Sequence, residues 1–131
     1  MSGLKVGLVS PEREVWSGEA EMVVAQTIDG EIGIRFGHAP VLGVLVDGSL
    51  VKIHPVGGGD VIVAAVGSGF FSVADNEVAV LAEQAELGQN IDVAQAKTEY
   101  TRAQSGGDAD ETQVVAERRA RARLRAAGVE A

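Results

Sequence analysis

From residue 4 to residue 82 the sequence is cut into short runs rich in valine and isoleucine by glycine-containing breaks, recurring about every 8 to 12 residues. The runs cover 4–9, 21–28, 31–34, 41–46, 49–54, 61–66, 70–74 and 77–81. Each is too short for an ordinary helix and long enough for a strand, and β-branched side chains pack well on a pleated surface. The pattern predicts a sandwich or barrel. Asp29-Gly30 and Asp47-Gly48 tolerate the positive φ angles of tight hairpin turns, so antiparallel pairing is expected. The run 61–66 is apolar at every position and should lie between two covering layers.

After Gly88 the period changes. Val93, Ala96, Tyr100 and Ala103 recur at helical spacing and make one narrow stripe. Asp92 can cap this helix, with Gln95 in the third position of a capping box. Ser105-Gly106-Gly107 should end it, and a second start follows at Asp108 with Glu111 three residues on. The second helix should reach about Ala127, with Gly128 as its stop. Two antiparallel helices joined by a glycine loop are the expected product. The second has only a thin apolar strip of Ala116, Ala120, Leu124 and Ala127, because Arg118, Arg119, Arg121, Arg123 and Arg125 fill two sectors of its wheel. At ~25 cal/mol per Å², docking so little apolar area is worth only a few kcal/mol.

Charge separates the same two segments. Residues 1–90 hold twelve acids and four bases, whereas 91–131 hold seven of each, so different partners are expected for the two. A net charge of -8 argues against nucleic acid, where affinity comes from cations that displace counterions. The absence of cysteine removes disulfides, thiol nucleophiles and thiolate metal sites. The opening Met1-Ser2-Gly3-Leu4-Lys5 carries no secretory signal pattern, and no stretch nears the roughly 20 apolar residues that span a bilayer, so any membrane connection is expected through a partner.

No catalytic or metal site is expected. His38 and His54 fall on different elements without a Ser/Asp or His/Glu companion, so each reads as a turn or strand residue. Gly57-Gly58-Gly59-Asp60 lacks the Gly-Lys-Ser/Thr ending of a phosphate loop and reads as a hairpin turn. Trp16 and Phe70-Phe71 read as core or inter-subunit packing.

The segment Asp29-Gly30-Glu31-Ile32-Gly33-Ile34-Arg35-Phe36-Gly37-His38-Ala39-Pro40 resembles the "GE-LGI-x-PGHAP" stretch of the epsilon subunits of bacterial F-type ATP synthases. Further similar pieces follow in order: Val9-Ser10-Pro11-Glu12, Ser17-Gly18, Gly67-Ser68-Gly69-Phe70, and Ile91-Asp92-Val93-Ala94-Gln95-Ala96. The resemblance implies an antiparallel β-sandwich of about ten strands over residues 1–88 and a two-helix hairpin over 89–131. It implies a non-catalytic subunit of the central stalk, peripheral on the cytoplasmic face of the cell membrane, that couples a proton-driven ring to the catalytic head. Expected partners are the gamma subunit, the membrane rotor ring and the alpha/beta head. Carried over, Gly30 and Glu31 would meet the ring and His38 would lie near gamma. The hairpin would fold against the sandwich or extend into the head and restrain ATP hydrolysis, with Arg118, Arg119, Arg121, Arg123 and Arg125 facing acidic head surfaces.

Several members of that family bind ATP at the hairpin through a motif resembling Ile/Leu-Asp-x-x-Arg-Ala. Here Gln95 takes the arginine's place, and a neutral amide cannot make the forked, charge-assisted contact of a guanidinium with phosphate. Glu86, Asp92 and Gln95 are the candidate nucleotide residues, with no cofactor expected as a resident group. Two other readings are a biotinyl or lipoyl carrier domain, whose lysine should sit at a hairpin tip, and an adaptor unrelated to the synthase.

Overall fold

The computed structural model describes residues 3–104 and 111–129. Nine strands come first: β1 Leu4–Ser10, β2 Arg13–Thr27, β3 Gly30–Arg35, β4 Val41–Leu45, β5 Ser49–Pro55, β6 Ile62–Val66, β7 Gly69–Ala74, β8 Glu77–Ala82 and β9 Ala85–Leu87. A 3₁₀ turn over Gly88–Asn90 leads to helix α1, Val93–Gln104, and helix α2 covers Glu111–Ala126. The proposed helix end at Ser105-Gly106-Gly107 and second cap at Asp108 lie outside the described residues.

The strands run in the order β1-β8-β7-β4-β2-β5-β6-β9, with β3 on β2 and with β1 also paired to β2. The long β2 serves both layers. Its first half pairs with β1 and its second half with β3 and β5, with a register shift between Ala20 and Met22 where it turns the corner. Nine strands therefore do the work of the expected ten. Pairing is antiparallel with one correction: β1 and β8 run parallel, Val6 facing Val78 and Leu8 facing Val80. Alternation in sequence reports burial on a face, and it carries no sign of strand direction.

The core follows the alternation. Leu4, Val6 and Leu8 of β1 are buried, as are Val23, Ala25, Val51, Ile53, Phe71, Val73, Val78 and Val80. Both faces of β6 are covered, as its uninterrupted apolar run requires. Ala64 and Val66 enter the sandwich core, and Ala65 joins Ile91, Ala96, Ala122 and Leu124 in a second cluster under the helices.

Two turns depart from expectation. Asp47-Gly48 does not close a hairpin, because β4 pairs with β7 and β2, whereas β5 pairs with β2 and β6. It is a corner between layers. The two-residue hairpin with positive φ at both positions is Asp75-Asn76, between β7 and β8. Asparagine and aspartate adopt that conformation more readily than other side-chain-bearing residues.

Candidate functional site

The hairpin lies folded on the sandwich, α2 crossing β5 and β6. Its apolar seam joins buried Ala65, Ile91, Ala96, Ala122 and Leu124, with Leu50, Val93 and Tyr100 packed alongside, and Leu124 is the one large residue of α2 that is buried. Ala120 is buried as the stripe predicts, but Ala116 is exposed and Ala122, outside the predicted strip, is buried. The seam is rotated because arginines at Arg119 and Arg123 turn inward toward carboxylates.

Those carboxylates come from three elements. Asp47 receives both Nε and Nη2 of Arg119, each at 2.8 Å, a forked geometry that only guanidinium offers. The hydrogen bond to Asp47 raises the pKa of Arg119, with burial opposing and the attraction of the pair assisting. Glu86 of β9 receives Arg123 Nε at 2.8 Å, and Glu99 of α1 receives Arg123 Nη1. Arg123 thus ties the sandwich, α1 and α2 together. Burial disfavours its charge, yet hydrogen bonds and attraction from Glu86 and Glu99 outweigh that and raise its pKa. Arg121 bonds Glu117 one turn back at 2.9 Å and Tyr100 Oη at 3.4 Å, its guanidinium 5.8 Å from the Tyr100 ring centroid.

Two glycines let α2 come this close. A Cβ on Gly48 would stand 2.9 Å from both the Arg118 carbonyl carbon and the Arg119 nitrogen, and Gly48 also holds φ at +77°. A Cβ on Gly88 would lie 1.9 Å from the Ala126 carbonyl oxygen. Each glycine is a bearing surface for the helix.

The five arginines divide between two clefts. The larger, about 780 Å³, lies between the hairpin and the β9 edge and is lined by Glu86, Gln95, Glu99, Arg102, Arg119 and Arg123. Of the three candidate nucleotide residues, it holds Glu86 and Gln95. Asp92 instead caps α1, accepting from Gln95 N at 3.1 Å. The capping box is half closed, since Gln95 Oε1 lies 3.5 Å from Arg123 Nη2. The second cleft, about 390 Å³, brings Glu31 beside Arg118, Arg121, Arg125 and Lys52. Gly30 sits with Glu31 at the β2–β3 turn, where Thr27 Oγ1 donates to the Gly30 carbonyl at 2.8 Å. His38 lies apart, in the β3–β4 connection, its Nδ1 2.7 Å from the Ala39 carbonyl oxygen.

Sequence reasoning passed over Asp47 and Glu99. A signal was available: an acidic sandwich and an arginine-rich helix in one chain are complementary to each other before any partner is considered.

Lys52 lies within β5 and Lys5 within β1, so neither is at the hairpin tip a carrier domain would need. Among the described residues no cluster of His, Asp or Glu could hold a metal ion, and no helix is long and apolar enough to cross a membrane.

Comparison with known proteins agrees with this architecture. The ATP synthase delta/epsilon chain beta-sandwich domain matches residues 3–88. The ATP synthase epsilon chain of Streptomyces coelicolor is 53% identical over 124 residues, covering 95% of this chain and 94% of its own length. That of Thermobifida fusca is 48% identical over 130 residues, covering 97% and 93%. A chain in the Euglena gracilis mitochondrial ATP synthase structure of OSCP, F1 and c-ring shares the fold, with TM-score 0.76 at 17% identity over 98% of this chain and 81% of its own. By sandwich, hairpin and full-length likeness, this chain belongs to the ATP synthase epsilon chain family.

Proposed function

We propose that the chain is a non-catalytic central-stalk subunit of a proton-translocating bacterial ATP synthase, residues 1–88 gripping the rotor and residues 89–131 restraining ATP hydrolysis. The observation that carries the rotor half is an apolar row on the sandwich face turned away from the helices. Val44 pairs with Phe70, Phe70 with Leu81, and Leu81 with Val9, so four strands present one continuous stripe. Phe70 is 54% and Leu81 51% exposed, with Leu42 one row along at 73%. Such an exposed apolar stripe marks a surface that a partner covers.

The gamma subunit is assigned to this face. His38 borders it, because Asn76 of the β7–β8 turn accepts from Gly37 N at 2.7 Å and fixes the His38 loop beside that layer. Gly30 and Glu31 are assigned to the rotor ring, where a carboxylate on an exposed turn suits a basic loop. The subunit then sits peripherally on the cytoplasmic face of the membrane.

The restraining half is supported by the character of the seam: α2 brings one buried leucine and small side chains to it, beside ion pairs that water partly reaches. Exposed pairs contribute ~0 to 1 kcal/mol each, so the hairpin is held by a few kcal/mol and can leave. Nucleotide has no part in this reading. Arg119 and Arg123, the two α2 guanidiniums facing the larger cleft, are already matched by Asp47, Glu86 and Glu99.

The test of the rotor half is retention. Tagged chain carrying Phe70→Asp with Leu81→Asp should lose gamma and the catalytic subunits on purification from the native membrane, while its isolated melting transition stays near that of the unmodified chain. Full retention of gamma by that variant would move the interface elsewhere.

A further inference from the structure

Arg119 and Arg123 of α2 have partners inside this chain, and those partners are spread over the surface the helix lies on. Asp47 stands at the corner between β4 and β5, Glu86 on the edge strand β9, and Glu99 on α1. Asp47 and Glu86 meet arginines one turn apart on the same face of α2, Arg119 and Arg123. Beneath the first pair, the absence of a Cβ on Gly48 lets the helix backbone approach, and beneath the end of the helix Gly88 does the same.

We infer that Asp47, Glu86 and Glu99 form a latch that keeps the hairpin folded by occupying Arg119 and Arg123, so that the same cations are withheld from any other acidic surface until the latch opens. This rests on the reading that the hairpin moves. It adds which residues set the balance, and it distinguishes two kinds of charge loss. Removing a latch carboxylate frees the helix with its arginines intact. Removing an arginine frees the helix and disarms it together. A cluster that served only as a solvated face would show neither effect.

The geometry favours a latch over incidental surface pairing. The Arg119 fork is bidentate, and Arg123 is only 17% exposed with two carboxylates on one guanidinium. Losing one partner leaves a half-buried charge uncompensated, which costs more than the pair contributes. Arg118, by contrast, is exposed and makes no ion pair among the described residues, so it serves as the internal control.

The chain has no cysteine, so two can be introduced for spin labels without background, Glu12→Cys on the sandwich, which shares a cleft with Gln113, and Thr112→Cys on α2, both exposed. The unmodified latch should give one short inter-label distance. Asp47→Arg and Arg119→Asp should each raise the long-distance population about tenfold, as expected for a tightly coupled pair. The double exchange, Asp47→Arg with Arg119→Asp, should return most of it, and Arg118→Ala should change nothing. Unmoved labels in both single variants overturn the latch, as does failure of the double exchange to restore the short distance. If 0.5 M salt separates the labels while the single variants do not, the hairpin moves but other groups hold it. If no variant and no salt separates them, the moving-hairpin reading falls as well.

Discussion

Gly48 and Gly88 look like ordinary loop glycines in the sequence, and nothing in their neighbours says that a helix will rest on them. Their role is legible only once α2 is in place, because a close approach between residues 38 or more positions apart leaves no local pattern. At Gly48 an added Cβ meets backbone atoms of Arg118 and Arg119, and the φ of +77° adds strain of roughly 1 to 2 kcal/mol for any side chain. At Gly88 the obstacle is the Ala126 carbonyl. Gly48→Ala and Gly88→Ala should therefore each detach α2 while the sandwich keeps its fold. Amide hydrogen exchange checks this: protection should fall across 111–126 and persist in β1, β7 and β8, and unchanged protection of α2 would remove the bearing role. Asp92 shows the opposite case. Its capping bond to Gln95 N was readable from spacing of three residues, since both partners belong to one turn of chain.

At the scale of elements, strands and helices were legible and their mutual arrangement was less so. The period change after Gly88 marks the hairpin, and the apolar run 61–66 marks a strand covered on both sides. The parallel pairing of β1 with β8 and the three-residue β9 left no trace, because both depend on which strands meet after folding. The rotation of α2, which exposes Ala116 and buries Ala122, has an electrostatic cause that hydrophobic spacing cannot report. Leu124 is the largest apolar anchor of α2, so Leu124→Ala should cost about 2 kcal/mol, the low end for a buried leucine. Set against a seam worth a few kcal/mol, that loss should release the helix. It should also make docking steeply salt-sensitive, since only the ion pairs would remain and added salt screens them. Far-ultraviolet circular dichroism that stays constant while hydrogen exchange in α2 accelerates would show release without unfolding; no change in α2 exchange would mean a tighter seam. Base, in contrast, should leave docking intact across neutral to mildly alkaline pH. The raised pKa values of Arg119 and Arg123 give stability that is fully present below the ordinary arginine range and lost only above it.

The whole molecule couples two opposite surfaces. One face of the sandwich offers the apolar row from Val44 to Val9, and the other carries the helices through a small apolar cluster around Ile91 and Leu124 and through ion pairs. The sequence hinted at this division through charge, twelve acids against four bases before residue 90 and a cluster of five arginines after it. What it could not reveal is that the cluster first answers the chain's own acids. The +4 charge between Glu117 and Arg125 is thus partly spent in the folded state, and any acidic partner must compete for it. Swinging the hairpin from 1:99 to 99:1 takes ~5.5 kcal/mol, more than these exposed pairs supply, so the partner must also contribute apolar contacts.

The most direct measurement is the ATP hydrolysis rate of the assembled synthase with and without residues 108–131 of this chain. The account predicts a several-fold higher rate for the shortened form at unchanged subunit stoichiometry. Equal rates in two equally assembled enzymes would contradict it.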